Sequence, residues 1–141
     1  MEVPINYLAV LVAAVINMVL GFAWYSPSLF GNVWMRLSGR TMADLEAGKK
    51  KMVPNMIIAT VLAFVMAYVF AHVTVFAMDY TQTFGVVGGL VSGFWNWLGF
   101  ILPVSAGAAL WDGKSWKLVA LTSGYYLVLL LINGVILATW R

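Results

Sequence analysis

The chain of 141 residues contains no cysteine, one histidine and five acidic residues, and each shortage removes a class of chemistry. Without cysteine there is no disulfide framework, no thiolate metal site and no thiol nucleophile. The lone imidazole, His72, builds neither a metal site nor a haem ligand pair by itself. No Ser-His-Asp order at one depth, no pair of carboxylates and no phosphate-cradling loop can be found in the spacing. Charge is also scarce, at 9% of residues against about 25% in an ordinary soluble domain. What fills the space is apolar, 63% of the chain against about 45–50%. The expectation is a protein that is not an enzyme, carries no cofactor and no metal, and has lipid as its main solvent.

A helical span needs about 20 apolar residues, and runs of that size cover about 4–25, 53–76, 84–110 and 116–140. The predicted class is all-α and integral to the membrane, with four transmembrane helices in a single domain, 1–141. The first run is expected to be retained. It carries Glu2 where a signal peptide has a basic region, and it ends in aromatic residues.

A net charge of +3 would point a soluble domain toward nucleic acid, but here the cations flank apolar runs, so no nucleic-acid partner is expected and they read as topology signals. Arg36, Arg40, Lys49, Lys50 and Lys51 fall in the first connection and Lys114 and Lys117 in the third, while the opposite side has only Arg141. That imbalance places the first and third connections in the cytoplasm and both termini outside. Trp24, Tyr25, Trp34, Arg36, Trp111 and Trp116 then mark the inner interface, where amphipathic rings and cations settle.

The first connection is the long one, and its segment about 28–48 is predicted to lie on the cytoplasmic surface. In "WYSPSLFGNVWMRLSG", Leu29, Phe30, Val33, Trp34 and Leu37 share one helical face, with Asn32 and Arg36 on the other. This predicts a short amphipathic helix over 28–38 in the headgroup plane, stopped by Gly39. Thr41 and Asp44 then form a capping box, and Gly48 is a natural stop. In "WDGKSWK", Asp112-Gly113 makes a turn and Ser115 caps the last helix, so the third and fourth spans form a hairpin.

Polar side chains inside lipid are the default candidates for function. Asn17 lies about 4 Å from its span's midpoint and Asn96 about 2 Å from its own, at 1.5 Å per residue, so the two amides can meet. With Ser92, Tyr126 and Asn133 they form a polar seam, read either as hydrogen bonding between packed helices or as a path that binds a solute. Pro103 removes the bond to the Gly99 carbonyl and is expected to kink the helix beside Asn96. Gly85, Gly89 and Gly93 form a row that allows close helix approach, to another helix of the chain or to a second copy. His72 and Asp79 would stack on one face of a continued helix, but the helix is expected to end between them. A weak echo, Leu20-Gly21-Phe22 and Leu98-Gly99-Phe100, hints at a duplicated hairpin.

The stretch "WYSPSLFGNVWMRLSG", together with "WDGKSWKLVALTSGYYLV", resembles the small bacterial membrane proteins grouped as domain-of-unknown-function family 1761. The resemblance implies four spans and a bacterial inner (cytoplasmic) membrane, and it implies no activity. Residues and resemblance together lead to a small non-enzymatic membrane protein that interacts with the lipid bilayer and assembles with itself or with another membrane partner, a homodimer being favoured. The alternative is a small-solute carrier formed by a homodimer around the polar seam.

Overall fold

The structure is a computed structural model and describes residues 3–140. Four helical rods organise the chain. Helix α1 (Tyr7–Trp24) leads through α2 (Gly31–Ser38) and α3 (Met42–Gly48) to the long α4 (Met52–Thr81). Helix α5 (Gly85–Asn96) passes through a π-helical segment, Trp97–Ile101, into α6 (Leu102–Leu110), and α7 (Trp116–Thr139) returns beside it. No strand occurs among the described residues.

The helix ends follow local chemistry. Asn6 starts α1 by accepting the amides of Leu8 and Ala9 at 2.9 and 3.2 Å, so the helix begins a little inside the apolar run that opens at Pro4. Gly39, at φ 70°, stops α2, and Ser115 caps α7 by accepting the Lys117 amide. The predicted amphipathic helix over 28–38 starts instead at Gly31, because the chain first curls at Ser26, whose carbonyl accepts the Leu29 and Gly31 amides. A Cβ at Gly31 would sit inside the Tyr25 and Ser26 carbonyls, which makes this glycine a requirement of the turn.

Two expectations are corrected. Gly48 is no stop: it keeps right-handed helical dihedrals, and a 3₁₀ turn, Lys49–Lys51, joins α3 to α4. Nor does the second span's helix end between His72 and Asp79; it runs through Thr81 and closes at Gln82, whose φ is 54°. At 1.5 Å per residue the 30 residues of α4 make it about 45 Å long, more than the roughly 30 Å of a hydrocarbon core.

Thr41 and Asp44 form the capping box, with the Thr41 amide donating to Asp44 Oδ2 at 2.7 Å and the Asp44 amide donating to Thr41 Oγ1 at 3.2 Å. The backbone bond from Thr41, then the one from its hydroxyl, holds the Asp44 carboxyl below its ordinary range. The sign follows: the cap is fully formed above the unfolded pKa of about 3.9 and is lost as pH falls through the lower folded value. The Thr41 amide shift should therefore titrate together with the Asp44 carboxyl, at a midpoint below the usual one. A midpoint at or above that value would mean the cap does not form.

Packing rests on small residues rather than large ones. Ala9 and Ala13 of α1 and Ala63, Ala67 and Ala71 of α4 are buried together, the close approach that drives helix association where lipid is as apolar as leucine. Between α5 and α7 the approach is closer still: a Cβ on Gly89 would overlap the Gly134 carbonyl, and one on Gly93 the Leu130 carbonyl. Large apolar residues such as Ile57, Val61, Val65 and Val69 stay exposed, as expected of a lipid-facing surface.

Candidate functional site

The two segments that carry the resemblance meet in space. The Tyr125 hydroxyl donates to Asn17, with the side-chain oxygen 2.8 Å and the backbone carbonyl 3.0 Å away. Around this node, Trp24 and Tyr25 lie against the Tyr125 ring at centroid distances of 6.2 and 5.7 Å. Tyr126 stacks edge-on to Tyr125 at 4.9 Å, and Trp34 to Tyr25 at 5.7 Å. Gly21 lies beside the hydroxyl and Gly124 beside the Trp24 ring, where added Cβ atoms would stand at ordinary contact distances of 3.4 and 3.8 Å. An apolar span ends in Trp24-Tyr25 and turns at once because those rings clamp the end of α1 onto α7.

The polar seam is thereby divided. Asn17 and Asn96 have separate partners: the Asn17 amide points at the Met66 sulfur, 3.8 Å away, while the Asn96 amide donates to the Ser92 carbonyl of its own helix at 2.8 Å. The Ser92 hydroxyl pairs with Thr74 at 3.2 Å, fully buried. Trp97 donates its indole N–H to the Ser123 carbonyl at 2.8 Å. Asn133 is 1% exposed, and its side-chain oxygen has no partner among the described residues. Tyr126 and Asn96 instead line an apolar cleft of about 680 Å³ between α4, α5 and α7.

The Gly89 and Gly93 members of the glycine row face α7, while Gly85, at φ 64° with open space beside it, serves the turn into α5. Trp111 and Trp116 stand exposed at the two sides of the 111–115 turn, Trp111 at 86%. The Nδ1 atom of His72 lies 2.9 Å from the Tyr68 carbonyl, and its ring stacks edge-on to Tyr68 at 4.5 Å. Gly21 touches Tyr125 whereas Gly99 meets nothing, so the Leu-Gly-Phe echo has two unlike surroundings. Among the described residues no cluster of three or more His, Asp or Glu could hold a metal ion.

A groove of about 570 Å³ opens where α2 meets the end of α1 and the first turns of α7. Its walls are almost wholly apolar, and its two charged residues, Arg36 and Lys117, are both cations. Arg36 is legible in the sequence as interfacial, but its companionship with Lys117 is not; both lie in the quoted segments, and only the fold brings them to one groove.

Four rods long and apolar enough to cross a membrane, exposed apolar faces and a polar, aromatic node at one end define a multi-pass helical membrane protein. The chain belongs to the family of proteins of unknown function DUF1761, whose model matches residues 8–138. No curated protein and no solved structure matches it.

Proposed function

We propose that the protein is a non-enzymatic component of the bacterial inner membrane that engages the lipid surface through α2 and assembles with a second copy. Both termini lie outside; α2, α3 and the 111–115 turn lie in the cytoplasm. The observation that carries this reading is the seat of α2. Val33 and Leu37 line a groove shared with Leu121 and Gly124 of α7, while Asn32 and Arg36 are exposed, the arrangement of a helix lying in an interface. For self-assembly, the glycine row is occupied within the chain, so the cleft with Asn96 and Tyr126 is the surface left to a second copy. The carrier alternative draws on the same two residues.

The cysteine-free chain makes topology directly testable. In intact spheroplasts an impermeant maleimide should label Thr83→Cys at once and Lys50→Cys only after lysis. The reverse pattern would overturn the orientation. In nanodiscs the protein should have the mass of two chains, and a strict monomer would remove the self-assembly half of the reading.

A further inference from the structure

The groove beside α2 combines an apolar channel with two cations and no acid among its lining residues. The only ion pair among the described residues is Lys49 with Glu46, at the C-terminal end of α3, so Arg36 and Lys117 have no carboxylate partner among the described residues. Both cations line a space of about 570 Å³, within the roughly 300–1,000 Å³ of small-molecule sites. Gly124 forms part of the floor, and a Cβ there would meet only the Trp24 ring. The Trp24 indole N–H is buried without a partner among the described residues, so the wall holds a donor that lacks an acceptor.

We infer that this groove binds one anionic phospholipid from the leaflet on its side, with the phosphate between Arg36 and Lys117 and an acyl chain along Val33, Leu37 and Leu121. Charge decides the class: two unpaired cations over an apolar floor match a headgroup that is negative and a tail that is not. The inference rests on the proposed interfacial seat of α2 and gives that seat a specific ligand.

The test is native mass spectrometry of the full chain taken from mixed phosphatidylglycerol and phosphatidylcholine bilayers. One phosphatidylglycerol per chain should be retained in preference to phosphatidylcholine. Arg36→Gln and Lys117→Gln should each weaken retention about fivefold, the worth of one cation near an anionic surface. Gly124→Leu, which fills the floor, should abolish it, while Lys50→Gln should leave it unchanged. Unchanged retention in the Arg36 and Lys117 variants, or an equal loss in Lys50→Gln, would overturn the site. Spin labels at Asn32 and Trp34 in the same bilayers separate the two levels. Label 34 in lipid and label 32 in water, without specific retention, overturns the lipid site and leaves the seat of α2 standing. Both labels in water overturn the seat and the site together.

Discussion

Gly89→Leu is expected to cost at least about 3 kcal/mol in mild detergent, the upper range of core overpacking, and to separate α5 from α7. The reason is the backbone itself: a Cβ at this position would overlap the Gly134 carbonyl and crowd the Val135 amide, and neither is a side chain that can swing aside. Gly134→Leu meets the Gly89 backbone in return and should cost as much. Leu90→Ala is the control, since Leu90 is 40% exposed and lipid substitutes for its contacts; a change within about 0.5 kcal/mol is expected. Unfolding followed by circular dichroism at two protein concentrations checks the mechanism. A loss that is the same at both concentrations belongs to packing within the chain. A loss that deepens on dilution would assign the row to a contact between copies, and a stable Gly89→Leu protein would contradict the packing altogether.

Tyr125→Phe is expected to cost about 0.6 kcal/mol, the average for a hydrogen bond between membrane helices, and no more than about 1.7 kcal/mol, the largest measured. The Asn17 backbone carbonyl can keep its own helical bond, so the loss falls mainly on the side-chain bond of 2.8 Å. Asn17→Ala should cost a similar amount, and the double variant little more than either, because both remove one interaction. Asn96→Ala should do less, since its amide is bonded within its own helix. Full additivity of the Asn17 and Tyr125 changes would deny the bond. Asn96→Ala as costly as Tyr125→Phe would show that Asn96 has a partner outside the chain, which favours the carrier reading.

Much of the fold was legible because lipid imposes simple rules. The four long apolar runs, the Thr41–Asp44 cap, the Gly39 stop and the Ser115 cap are local patterns with local causes. What stayed hidden was set at a distance. Asp79 and Tyr80 look like a connection because they leave the apolar run, yet α4 carries them, since a helix needs continuity of backbone rather than of hydropathy. Gly48 looked like a stop, but a glycine ends a helix only when the chain beyond it departs, and here it goes on into Lys49–Lys51. Depth brought Asn17 and Asn96 to one level, but only the rotation of each rod decides which way an amide points. Asn17 therefore met Tyr125, three spans further along the chain.

The π-helical segment before Pro103 has one more consequence. The Leu102 amide reaches the Trp97 carbonyl, five residues back, and this wide turn sits just ahead of the proline that has no amide to offer. Gly89 and Gly93 face α7, Trp97 bonds to Ser123 and Ile101 packs on the core, so contact recurs at every fourth position. On a regular α-helix such a series precesses by about 40° per step, and it would have wandered off α7 before reaching Ile101. The wider turn winds the series back, a correction of azimuth that lets a four-residue rhythm stay in phase with a straight neighbour.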